Sequence, residues 1–125
     1  MSWVWPLASV AKAIHDEQLA EHGGRRGVRD ENALLSALAR AQNIVAYGDP
    51  DAPDLAATYA FGIARNHPFV DGNKRTAWAM ARLFLDLNGV ELIYSDEEAI
   101  MITLALAAGE LSEDELADWF RERIA

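Results

Sequence analysis

Asn73-Lys74-Arg75-Thr76-Ala77-Trp78-Ala79-Met80-Ala81-Arg82-Leu83-Phe84-Leu85-Asp86-Leu87-Asn88 is apolar almost all round when wound at about 3.6 residues per turn. Ala77, Met80, Ala81, Phe84 and Leu87 share one side, with Leu83 and Leu85 beside them. A helix with so little polar face has to be enclosed by others, so the stretch predicts the central buried helix of an all-α protein. Asn88-Gly89 supplies a left-handed stop at its end.

The flanking sequence supplies the surrounding helices. Leu7 to Glu21 places Leu7, Val10, Ala11, Ile14 and Leu19 at helical spacing, with Pro6 near its first turn, and stops at His22-Gly23-Gly24. The run to Arg29 is rich in Gly and Arg and suits a turn, small hairpin or flap loop. Asp30 caps a helix to about Gln42 with Leu34, Leu35 and Leu38 inward. After a Gly48 to Pro53 loop, Asp54 is placed to cap a helix through Leu55, Tyr59, Ile63 and Ala64, which Pro68 ends. Two more helices open with capping-box patterns, Ser95 to Glu98, ending near Gly109, and Ser112 to Glu115, running to the C-terminus. The expectation is a compact bundle of about six helices in a single domain spanning residues 1–125.

The composition is globular, 51% apolar and 25% charged, and no apolar run is long enough to span a membrane. The first residues lack the basic and apolar regions of a secretory signal, and Cys is absent. Both features predict a cytoplasmic location. A net charge of -9 argues against a broad basic surface for nucleic acid. The charge is uneven: nine basic and ten acidic residues lie up to Val90, but two basic and ten acidic residues follow it. A local anion site therefore fits the Arg25 to Arg82 region, and the acidic tail reads as solvated surface or a dock for a basic partner.

That anion site falls at His67-Pro68-Phe69-Val70-Asp71-Gly72-Asn73-Lys74-Arg75. The free amides at the start of the central helix attract anions, and Gly72 lets a phosphate approach the backbone. Arg75 adds a fork of donors and Lys74 a second positive charge. Asp71 offers the hard carboxylate that Mg²⁺ takes alongside water and phosphate oxygens, and His67 can act as a general base near neutral pH. Taken singly, these residues also fit bland roles: a structural His67, Asp71 as an N-cap, and Asn73 and Arg75 on a solvated turn. Phe69 reads as a buried anchor beneath the loop. No second His stands at ligand spacing from His67, which argues against a metal hydrolase.

His67-x-Phe69-x-Asp71-Gly72-Asn73-x-Arg75 resembles the signature of the Fic/Doc (Fido) superfamily, and Asn73-Lys74-Arg75-Thr76-Ala77 resembles its Doc, or death-on-curing, branch. Gly23-Gly24 with Gly27-Val28-Arg29-Asp30, Leu35 to Leu38, Gln42 to Tyr47, and Phe84-Leu85 with Asn88-Gly89-Val90 extend the likeness. It implies the Fic/Doc fold, His67 as the base that takes a proton from a target Ser or Thr, Asp71 as the Mg²⁺ ligand, and Gly72, Asn73, Lys74 and Arg75 around the nucleotide. Arg65 would match a basic residue of the Doc active site, and the Arg25-Arg26 loop a flap that aligns the target.

Lys74 stands where Fic nucleotidyl transferases usually have Gly, and Trp78 where they have a further Arg. Both departures imply transfer of the terminal phosphate of ATP rather than of AMP. The chain also lacks the Ser/Thr-x-x-x-Glu-Gly/Asn pattern of self-inhibited Fic proteins, which implies a separate small antitoxin. The implied function is the toxin of a type II toxin–antitoxin pair, a protein kinase acting on a translation elongation factor. The alternatives are a Fic-type AMP transferase and a non-catalytic module that binds an antitoxin. Leu116, Trp119, Phe120 and Ile124 make either a core face or a groove for that antitoxin, and Trp3 and Trp5 serve packing or partner contact.

Overall fold

A computed structural model describes residues 2–125. Its architecture is the expected all-α one, with helices α1 (Ala8–His22), α2 (Glu31–Tyr47), α3 (Ala52–Asn66), α4 (Asn73–Leu87), α5 (Asp96–Ala108) and α6 (Glu113–Arg121). Among the described residues, extended pairing is confined to two isolated antiparallel bridges, Val28 to Phe69 and Leu92 to Ile124.

The most enclosed helix is α3 rather than α4. Every α3 residue from Ala52 to Ile63 except Asp54 is buried, and the helix packs against α4, α2 and α6. Its small residues explain this position. A Cβ added at Gly62 would lie 3.1 Å from the Ala37 carbonyl oxygen and 3.3 Å from its Cα, so α2 and α3 cross almost backbone to backbone there. α4 lies against this pair with Ala77, Met80, Ala81 and Phe84 inaccessible to solvent, and α1 and α5 also pack against it.

Several ends differ from the sequence reading. α2 continues to Tyr47, because Ile44 and Val45 extend its face beyond the polar Gln42-Asn43 pair and Val45 packs on the core. α3 is capped by Asp51, not Asp54. The Asp51 carboxylate accepts from the Asp54 amide at 3.0 Å, and the Asp54 carboxylate accepts from the Asp51 amide at 3.1 Å, a reciprocal box with Pro53 in the first turn. The boxes at Ser95–Glu98 and Ser112–Glu115 form as expected.

The Gly-Arg loop forms no hairpin of its own; it pairs with the loop between α3 and α4. The Arg29 amide donates to the Pro68 carbonyl at 2.7 Å and the Val70 amide to the Gly27 carbonyl at 3.0 Å. Leu116 and Phe120 are core residues, whereas Ile124 is exposed. Trp3 and Trp5 pack on Phe84 with ring centroids 5.9 Å away in each case, while Asn88 holds the Val4 main chain at 2.8 and 3.0 Å.

Candidate functional site

The loop from α3 to α4 is shaped by its own side chains. His67 ends α3 in the left-handed conformation at φ 47°, the sole non-glycine with positive φ among the described residues. Such a conformation costs a bulky L-residue roughly 1–2 kcal/mol. Its carbonyl and that of Asn66 accept from the Arg29 guanidinium at 2.6 and 2.8 Å, which satisfies the end of α3. The imidazole itself is exposed on the wall of a shallow cavity of about 420 Å³.

Phe69 is the buried anchor that the sequence predicts, 1% exposed. Asn73 clamps it. The Asn73 amide oxygen accepts from the Phe69 N–H and the amide nitrogen donates to the Phe69 carbonyl, both at 3.0 Å. The Asn73 side chain is thus buried and holds the Phe69 main chain at both groups, and its backbone amide has no acceptor among the described residues. Asn73 still lines the cavity with its neighbours, and its side chain shapes the loop.

Gly72 caps α4 at φ 73°, ψ 19°, a conformation that a residue with a Cβ strains to adopt. No side chain caps α4, no acid sits in its first turn, and the amides of Asn73, Lys74 and Arg75 have no acceptor among the described residues. They border the cavity that His67, Val70, Asp71, Gly72, Lys74 and Arg75 also line. Helix-end amides around a cavity with two nearby cations form an anion site.

Asp71 does not cap the helix conventionally. One carboxylate oxygen accepts from the Arg25 amide at 3.1 Å and the other from its own neighbour's amide, Gly72, at 2.9 Å. These amides, Arg25 first, together with the charges of Arg75 and Arg25, hold its pKa below the ordinary carboxylate value. No group of three His, Cys, Asp or Glu side chains that would cage a metal occurs among the described residues. One exposed, ionised carboxylate beside an anion site instead fits Mg²⁺, which keeps several waters and takes substrate phosphates as ligands.

The cations reach outward from this centre. Arg75 donates to the Gly23 carbonyl at 3.0 Å and Lys74 to the Ala107 carbonyl at 2.5 Å. Arg65 is not brought onto the first cavity. It lies over the Phe61 ring at 5.3 Å and lines a neighbouring cavity of about 390 Å³ with Lys74 and the end of α5, so Lys74 stands between the two. Sequence reasoning missed His15. This buried residue on α1 stacks on Phe69 and meets the Asp71 main chain at 2.7 Å. Its signal was the inward spacing Ala11, His15, Leu19, with a polar residue inside an apolar stripe.

The model of the Fic/DOC family matches residues 6–85. The chain is 38% identical over 110 residues to a protein named Protein kinase doc from Escherichia phage P1, covering 87% of this chain and 86% of that protein. It is 52% identical over 73 residues to Toxin Doc of Mycolicibacterium smegmatis, covering 56% and 55%. The chain belongs to the Fic/DOC family. Within it, both relatives place the chain on the Doc branch.

Proposed function

We propose that the protein is the toxin of a toxin–antitoxin pair and a protein kinase. In the cytoplasm it transfers the γ-phosphate of ATP to a Ser or Thr hydroxyl of a translation elongation factor until a small antitoxin binds it. The observation that carries the reading is the uncapped first turn of α4, with three unpaired amides, Lys74 and Arg75 facing the same cavity as His67 and Asp71. The names of the two relatives support the kinase and toxin parts.

The γ-phosphate rests against the α4 amides, which stabilise the charge that gathers on its oxygens. Lys74 and Arg75 hold the remaining phosphates, and Arg65 lies within the adjoining cavity as a further cation. Asp71 would hold Mg²⁺, which would neutralise phosphate charge when bound. His67 takes the hydroxyl proton as the acceptor oxygen bonds to phosphorus, the bond to the β,γ-bridging oxygen breaks, and ADP departs. Val28 is paired with Phe69 so that its own N–H and C=O point away, leaving an edge on which an extended target segment can align.

The test is the intact mass of purified elongation factors after incubation with the protein, ATP and Mg²⁺. A gain of roughly 80 Da, one phosphate group, is expected. A gain of roughly 330 Da would replace the kinase with an AMP transferase, because only cleavage at the α-phosphate delivers it. No gain on any elongation factor, from folded protein, rejects the proposed target class.

A further inference from the structure

We propose that His15 is a positioning residue for the metal-binding carboxylate. It acts on Asp71 through the main chain, and the proposal rests on the reading that Asp71 holds Mg²⁺. His15 is 2% exposed. Burying an imidazole in an apolar stripe is unfavourable unless its nitrogens are satisfied, so an aliphatic residue between Ala11 and Leu19 would stabilise α1 better. The geometry shows what the ring does instead. Its face stacks on Phe69, centroids 3.9 Å apart and planes 6° from parallel, and its Nε2 lies 2.7 Å from the Asp71 carbonyl oxygen. A carbonyl only accepts, so Nε2 carries the proton and donates it. Nδ1 lies 3.9 Å from the nearest Asp16 carboxylate oxygen, too far for a hydrogen bond.

One ring from α1 therefore grips two residues of the loop at once. The consequence follows from the planarity of the peptide unit. The Asp71 carbonyl and the Gly72 N–H belong to the same rigid plane and point in opposite directions. Fixing the oxygen on His15 fixes where the Gly72 N–H points, and it points to the Asp71 carboxylate at 2.9 Å. The Arg25 amide then holds the other carboxylate oxygen at 3.1 Å. Asp71 is thus anchored at its carbonyl by α1, at one oxygen by its own backbone and at the other by the Gly-Arg loop. Removing the His15 donor frees the plane on which the carboxylate depends, though His15 itself never touches the metal.

Two substitutions separate the contacts. His15→Phe keeps a ring of similar size on Phe69 and loses the donor. His15→Gln loses the stack and offers an amide N–H the same number of bonds from the backbone as Nε2. Mn²⁺ binding is read by electron paramagnetic resonance in the presence of a non-hydrolysable ATP analogue, with melting temperature and the Mg²⁺ dependence of phosphorylation alongside. His15→Phe should weaken Mn²⁺ binding roughly 10- to 100-fold, the range for partners that orient metal ligands. His15→Gln should recover most of that loss even though its melting temperature falls further than that of His15→Phe. Mn²⁺ binding by His15→Phe within twofold of wild type overturns the proposal alone, and so does a His15→Gln no better than His15→Phe. Failure of the wild type to bind Mn²⁺ overturns the metal reading and the proposal with it. If His15→Phe does not accumulate folded, His15→Met against His15→Gln gives the same contrast of an apolar and an amide side chain of matched length.

Discussion

α3 and α4 lie side by side at the centre of the bundle, yet their N-termini are built in opposite ways. The first turn of α3 is capped: Asp51 and Asp54 accept from each other's amides, and Arg121 of α6 donates to Asp51 at 2.9 and 3.0 Å and to Asp54 at 2.9 Å. The first turn of α4 has a glycine for a cap, no acid, and amides that meet no acceptor among the described residues. A helix end satisfied by its own chain stabilises the fold. One left open forgoes a cap worth about 1 kcal/mol and keeps its positive potential for something else.

Four changes test that contrast, from the largest expected effect to the smallest. His67→Asn should lower the phosphorylation rate by about 10² to 10⁴, the usual contribution of a general base. Because Asn tolerates the left-handed conformation better than Ala, the melting temperature should barely move; equal rates for a folded mutant and wild type would remove the base from α4's open end. Lys74→Glu gives α4 the first-turn acid that α3 has. ATP binding measured by calorimetry should weaken at least tenfold, while the acid near the helix N-terminus contributes about 0.3–1 kcal/mol to stability. Undiminished binding means that the open turn is not the nucleotide site.

Asp51→Ala should cost about 1–2 kcal/mol in denaturant unfolding with little change in catalytic rate, since it removes a cap far from the cavity. A comparable loss of activity in the folded state would show that the two ends are not separate in function. The mildest change is Asp51→Asn, which keeps the cap and removes the charge pairing with Arg121. The Arg121 hydrogen bonds hold the Asp51 pKa at about 2, down from 3.8. The pairing therefore stabilises the fold fully above the unfolded value and is lost as pH falls toward the folded one. Solvent screens this half-exposed pair, so the expected effect at neutral pH is roughly 0.5 kcal/mol, with a shallower acid limb in the mutant between those two values. A stability-versus-pH curve identical to wild type there assigns the acid sensitivity to other carboxylates.

What was legible in the sequence follows from how local each signal is. The Ser95–Glu98 and Ser112–Glu115 boxes were read correctly, because a cap is written within a few residues. The Asp51–Asp54 box was misassigned by one turn, since two aspartates bracket Pro53 and either one fits the simpler capping rule. His67, Asp71, Gly72, Lys74 and Arg75 meet at one cavity as their proximity in the chain suggests. Arg65 sits beside a different cavity, because the turn between it and His67 rotates it toward α5. Asn73 lines the His67 cavity too, and only the fold shows its side-chain amide turned inward onto Phe69. His15, on another element from His67, carries no site role in the sequence reading: nothing local to α1 shows that Phe69 and Asp71 pack beneath it.

The Asn73 clamp makes one loop proton behave like a helical one. The Phe69 N–H lies outside any helix, but it is buried against an amide oxygen that can release it only if the loop opens. In hydrogen–deuterium exchange this amide should therefore be slow while the Asp71 amide, exposed and without an acceptor among the described residues, exchanges quickly, and the Phe69 rate reports the opening free energy of the loop directly. Phe69 thus provides a clock for whether the loop between α3 and α4 is assembled, readable without ATP, metal or target.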